Sequence, residues 1–487
     1  MPRAEAHGSI ATFPGAAPAF SQEEAPLFIA APARVAAAGL WCVLASAGAL
    51  AQPVAPIAIR NARIVPVAGT PIESGTIVLA NGVIKAVGPR VDIPAEAVVM
   101  DGTGLTVYPG LIDTFSEVGV GAPAGPPAGA APGAPAGAPR PATRPIRGPE
   151  DRPGTTPWIQ AADEFRADDR RIETWRNGGV TTVVTAPRIG VFPGQAAVVN
   201  LSGERREDVI VRSPAALPIS LSPPAGGGTF PGSPMGVIAY VRQVFLDTRD
   251  DAERQRRYAQ DPRGKARPDH DRSTLALQQA LQAKIPVLMP AVSARQISRA
   301  IAFGRELDVP TVIYGAHAGF EAAPQLAKAR VPVLVSARWP EKPRDADPDA
   351  DEALQVLELR DRAPGTPKAL VDQKVPFAFY SDGLATPAEF LANVRKAVKA
   401  GLPADAALRA LTLDAAQIFG VNDRLGSLET GKVANLVVVQ GDLLGDKPVI
   451  KHVFVDGRRF DVPADAAPAG PAGPRGGAPR PGEGDRR

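Results

Sequence analysis

Four short apolar runs dominate the second half of this chain: KIPVLMPAV from Lys284, VPTVIYGAH from Val309, VPVLVSA from Val331 and VPFAFYSDG from Val375. Runs this apolar suit strands covered on both faces. Helical segments lie between them, over Ala294 to Leu307 and Phe320 to Ala329. Thr386-Pro387-Ala388-Glu389 then supplies an N-cap, a proline at the first helical position and a capping-box glutamate, opening a helix that ends at Gly401. Earlier, a helix over Arg166 to Arg176 stops at Asn177-Gly178-Gly179 before the strand VTTVVTAP. Helices alternating with apolar strands force those strands parallel, and this many units predict an α/β fold, a (β/α)8 TIM-type barrel in preference to an open doubly wound sheet. No GxGxxG or GxxxxGK[ST] loop follows any strand, which removes the common nucleotide-binding readings.

Upstream of the barrel units stands YPGLIDTFSEVG, Tyr108 to Gly119. Downstream stands ALRALTLDAAQIFGVNDRLGSLETGKVANLVVVQGD, Ala407 to Asp442. With RNGGVTTVVTAP from Arg176, and Ser233-Pro234-Met235-Gly236 opening a helix, these stretches resemble the amidohydrolase superfamily, near its imidazolonepropionase-like branch. The resemblance runs from about Ile57 to Phe460 and implies metal-dependent hydrolysis of carbon–nitrogen bonds other than linear peptide bonds, such as cyclic amides. Family members follow PGLID with His-x-His; here Thr114, Phe115 and Ser116 stand at those positions.

The two ends of the matched region are β-like. From Pro56 to Val107, runs of Ile and Val alternate with turn signals such as Asn81-Gly82, and Gly426 to Phe460 repeats that style. In the family these ends meet in one composite β-sandwich beside the barrel. The expected organisation is a signal-peptide region over 1–51, sandwich segments over 52–107 and 423–463, a barrel over 108–422, and a tail over 464–487. A Pro/Ala/Gly-rich insert over 121–157 holds little that can be buried and is expected to be disordered, at the rim where such barrels carry their sites. The apolar run from Val35 to Ala51 ends in Ala49-Leu50-Ala51, a small-x-small pattern that predicts cleavage after Ala51 and export to the periplasm. It is short for a stable membrane span. Removal of that segment would take Cys42 with it, leaving a mature chain without cysteine.

A water-activating metal needs several imidazoles or carboxylates converging on one ion. The chain has only four histidines, His7, His270, His317 and His452. His452 falls on a sandwich strand and His270 in a charged, solvated stretch, so only His317 ends a barrel strand. By the resemblance, Pro290 and Val292 replace one family histidine and Gly315 another. Asp382, in Ser381-Asp382-Gly383, matches the aspartate that binds metal and moves the proton, and is the catalytic candidate; a plain turn-capping role competes with that reading. Asp113 of PGLID implies support of the strand end. Glu117, His317 and Asp382 are the candidate metal set; the family uses a divalent ion such as Zn²⁺, whereas oxygen-rich ligation suits Mn²⁺ or Mg²⁺. Thr114, Ser116 and His317 are the candidate substrate-pocket residues. A metal-free Ser–His pair using Ser116 or Ser381 with His317 is a further alternative.

Two functions follow. One is weakened or inactive hydrolysis of a small-molecule substrate. The other is a non-catalytic binding or partner protein, a homo-oligomer or a companion of an active relative. The net charge of +3, without a basic stripe interleaved with aromatics, excludes a nucleic-acid partner.

Overall fold

The computed structural model describes residues 55–121, 152–203, 205–223, 230–343, 347, 351–446 and 448–463. The expected signal peptide, the tail and most of the Pro/Ala/Gly insert lie outside the described residues. The insert ends earlier than expected: from Arg152 onward the chain is built into the fold, with Arg152 paired to Asp271 at 2.6 Å and Thr155 bridged to Phe192.

Eight strands make the barrel sheet: β1 (Leu111–Ser116), β2 (Val180–Thr185), β3 (Ala196–Asn200), β4 (Ile210–Pro218), β5 (Val287–Ala291), β6 (Thr311–Gly315), β7 (Val333–Ser336) and β8 (Phe377–Tyr380), neighbouring one another in that order. Along β4 to β8 every pairing is parallel, as is β1 with β2. β3 departs from the expected pattern and runs antiparallel to both neighbours. The reason is the connection. Residues 186–195 separate β2 from β3 without a helix, and a parallel crossover needs roughly a dozen residues or more. The fold is therefore a mixed barrel with one hairpin strand, not eight successive βα units.

Strand residues alternate between two cores, as the two-residue period of a strand requires. Ile112, Val184, Leu288, Val312, Leu334 and Ala378 point into the barrel. Their neighbours Leu111, Val183, Val287, Ile313, Val333 and Phe377 pack outward, in the core shared with the helices. The helix Leu413–Ile418 and Phe419 close the lower end, where the Ile112 amide donates to the Leu411 carbonyl at 2.8 Å.

The sheet order ends at β1 and β8, and side chains join these two strands. Thr114 Oγ1 donates to the Phe379 carbonyl at 2.8 Å. Asp113 accepts from the Ser381 amide at 2.9 Å and from its hydroxyl at 2.6 Å.

The N- and C-terminal segments do combine, in one eight-stranded sheet. Leu105–Pro109 pairs antiparallel with Leu436–Gln440 to join them. Asn81 and Gly82 both take positive φ (52° and 76°), the backbone of the hairpin turn their sequence suggests. Ile59, Ile77, Leu79, Leu436 and Phe454 form this sheet's own core. Asn435 ties it to the barrel: its Nδ2 donates to Asn200 Oδ1 (2.9 Å) and Thr182 Oγ1 (3.2 Å), while its Oδ1 accepts from the Asp456 amide (2.8 Å). Among the described residues no helix is long and apolar enough to cross a membrane.

Candidate functional site

The C-terminal ends of β1, β6 and β8 place three aromatic rings in the upper barrel. Phe115 meets Tyr314 edge-on at 4.9 Å and Tyr380 at 5.9 Å, and the two tyrosines are 6.3 Å apart. Burial pushes the Tyr314 phenol up to about 12 and Tyr380 well above its ordinary range, so both stay neutral donors.

Arg188 descends on these rings from the β2–β3 connection. Its guanidinium carbon lies 4.0 Å over the Phe115 ring centroid and 6.0 Å from that of Tyr380. Nη2 donates to the Phe115 carbonyl at 3.0 Å, and Nη1 lies 3.6 Å from Asp382 Oδ1. Asp382 takes a left-handed backbone, φ +52°, with Gly383 following at +72°. That turn brings its other oxygen to the fully buried Ser336 hydroxyl, which donates at 2.7 Å. A cleft of about 200 Å³ opens beside Arg188, lined by Ser116, Glu117, Arg171, Trp175, Ser381 and Leu384 among others.

The expected residues divide. Asp382 and Ser116 both reach the rim: the former faces Arg188, the latter lines the cleft and accepts from the Val118 amide at 3.2 Å. Thr114 is fully buried and spends its hydroxyl on the seam, so it does not line the cleft. His317 does not line the cleft; its ring is 6.2 Å from Trp339 and its Nε2 is buried without a hydrogen-bond partner among the described residues. Burial lowers its pKa, against the nearby Asp382 charge and a hydrogen bond with the Arg338 backbone. Glu117 is exposed, and its carbonyl holds Arg171 at 2.8 Å.

Neither constellation drawn from the sequence assembles. Among the described residues no group of three or more His, Cys, Asp or Glu side chains is placed to hold a metal ion, so Glu117, His317 and Asp382 do not converge. Thr114 and Ser116 from β1, Pro290 and Val292 near β5, and Gly315 on β6 offer neither an imidazole nor a carboxylate. The residues present do not fit a water-activating divalent ion of the family type. A Ser–His pair is not made either: Ser381 donates to Asp113 and His317 Nε2 bonds nothing described. Asp113 is fully buried; desolvation raises its carboxyl, and the two bonds from Ser381 pull it back.

Arg188, Ser336, Tyr314 and Tyr380 were not legible as site residues. Arg188 carried a usable signal, because a charged side chain lies three residues past Thr185 at the C-terminal end of a predicted barrel strand.

Comparison with known proteins gives one family. A model described as "Amidohydrolase family" matches residues 336–460. The amidohydrolase tasK of Hapsidospora irregularis is 24% identical over 454 residues, covering 84% of this chain; the chain spans 43% of that relative's length. The crystal structure of an amidohydrolase from Thermotoga maritima MSB8 is 26% identical, with a TM-score of 0.65, over 83% of this chain and 100% of that one. A Xaa-Pro dipeptidase structure with bound methionine shares the fold at 16% identity and a TM-score of 0.50, over 83% of this chain and 100% of that one. The fold, the PGLID strand and these matches converge on a likeness to the amidohydrolases.

Proposed function

We propose that this chain derives from metal-dependent hydrolases of carbon–nitrogen bonds other than linear peptide bonds, such as cyclic or small amides. Its own hydrolysis of such bonds is weak or absent, while the rim cleft keeps the capacity to bind a small molecule. The observation that carries this reading is the donor set at the strand ends. Thr114, Ser116, Pro290, Val292 and Gly315 stand where the family places ligands, and Asp382 faces a guanidinium. A concave barrel rim outlasts the ligands it once served, because the strand scaffold beneath it is held by the core. The second reading is a non-catalytic companion of an active relative.

The test uses protein from Gln52 onward, purified without metal-affinity resin. Elemental analysis after incubation with Zn²⁺ or Mn²⁺ is paired with turnover of a panel of cyclic and N-acyl amides. Less than a tenth of a metal per chain (a cut-off of about that size) and no turnover above buffer support the reading. About one metal per chain that vanishes in Asp382→Ala, with saturable turnover, refutes it. An active amidohydrolase co-purifying from native extract in fixed ratio favours the companion reading.

A further inference from the structure

The surroundings of Arg188 form a recognisable chemical environment. A planar cation lies 4.0 Å above the face of Phe115, with Tyr380 at 6.0 Å on a second side. A carboxylate stands 3.6 Å from Nη1 and a main-chain carbonyl accepts from Nη2. Ring faces attract a cation through their quadrupole, and an adjoining carboxylate adds a directional counter-charge. Each of these features favours an organic cation that is planar and weakly hydrated, the properties that separate a guanidinium from an ammonium. The box is rigid. Phe115 and Tyr380 are fully buried members of the barrel core, and Asp382 is held from behind by Ser336, itself wholly buried.

The occupant comes from a loop, its walls from the barrel and its rim. Arg188 belongs to the helix-free connection between β2 and β3. Ile189, next to it, is 93% exposed, and Gly190 and Gly194 take φ values of +124° and +145°. Arg188 makes one hydrogen bond to a described atom, and its Nε is buried without a partner among the described residues.

We infer that Phe115, Tyr380 and Asp382 form a binding site for guanidinium-type organic cations, which this chain fills with its own Arg188. The inference rests on the reading that Asp382 is not a metal ligand here. It gives the site's fixed charge to a side chain where the family would use an ion. Emptying the box by substitution converts an internal contact into a site for a free ligand of the same chemistry.

The experiment titrates ethylguanidinium into wild type, Arg188→Ala and Arg188→Met by calorimetry and thermal melts, in chelator-treated buffer. Metal is thereby removed from the measurement, so failure here is distinguishable from failure of the proposed function, which metal content and turnover decide. Saturable binding by either variant is expected, at least tenfold tighter than to wild type, with a raised Tm. Adding Asp382→Asn should weaken it at least tenfold, and ethylammonium should bind at least tenfold more weakly. Folded variants that bind no ethylguanidinium overturn the inference, as does equal binding to wild type. If both variants are insoluble, recovery of soluble protein on refolding with millimolar ethylguanidinium supports it, and no recovery overturns it.

Discussion

Replacing Ser381 by alanine tests the seam between β1 and β8. The change deletes one hydroxyl, which donates at 2.6 Å to the fully buried carboxyl of Asp113. The Ser381 amide at 2.9 Å stays, as does the hydrogen bond from the Phe115 backbone. The cost depends on the state of Asp113. When it is protonated, the lost bond is neutral and worth about 1 kcal/mol; when it is charged, the bond is worth about 1.5–3 kcal/mol. The difference, about 0.5–2 kcal/mol, appears as a further rise of the Asp113 pKa in the variant.

The sign follows from linkage. Burial raises the Asp113 carboxyl above its unfolded value, so its contribution is fully present below the unfolded pKa and declines as pH rises through the folded one. Ser381→Ala raises the folded pKa further and steepens that decline. The penalty should therefore be about 1 kcal/mol at pH values where folded Asp113 is protonated and grow to about 1.5–3 kcal/mol where it is charged. Urea melts of both proteins at closely spaced pH values, followed by tryptophan fluorescence, measure it. A penalty that shrinks as pH rises, or no penalty at any pH, refutes the assignment of Asp113 as a buried acid held by Ser381.

Three further outcomes are expected. Thr114→Val removes the 2.8 Å bond across the seam with almost no change in shape, and should cost about 1–2 kcal/mol in the same assay; an unchanged midpoint would mean that β1 and β8 are held without it. His317 has its pKa lowered by burial, so the unfolded chain takes up its proton first and stability falls as pH drops below about 6.5; His317→Gln should flatten that acid limb, and an imidazole titrating at or above its ordinary value by NMR would contradict it. Asn435→Asp deletes the amide donor to Asn200 and Thr182 and sets a carboxylate against the Asn200 oxygen, so it should destabilise by about 2–4 kcal/mol; a wild-type Tm would show that the joint does not depend on this amide.

Much of the architecture was written locally. The apolar runs ending at Ala291, Gly315, Ser336 and Tyr380 specify buried strands by composition alone, and Thr386-Pro387-Ala388-Glu389 specifies a helix start, with the Thr386 hydroxyl accepting from the Glu389 amide at 3.2 Å. Such signals depend on a few neighbouring residues and survive without knowledge of the fold. The scarcity of metal ligands was legible for the same reason, because counting histidines requires no coordinates. The antiparallel course of β3 was less visible, since its residues are as apolar as those of a parallel strand and only the length of the connection sets its direction.

The composition of the site was decided in three dimensions. Arg188 and Asp382 are distant in sequence, and their pairing depends on two strands reaching the same rim. Thr114 reads as a pocket residue from its place beside the missing motif, yet the barrel seam claims its hydroxyl. His317 ends a strand as expected, but after the turn with Ala316 at φ +50° it lies beside Trp339 and does not line the cleft. By itself the sequence determined the kinds of side chain the chain can offer and the strands that carry them. Only the tertiary structure decided which charges meet, because a hydrogen bond or an ion pair forms over a few ångströms and chain order does not encode that distance across a barrel sheet.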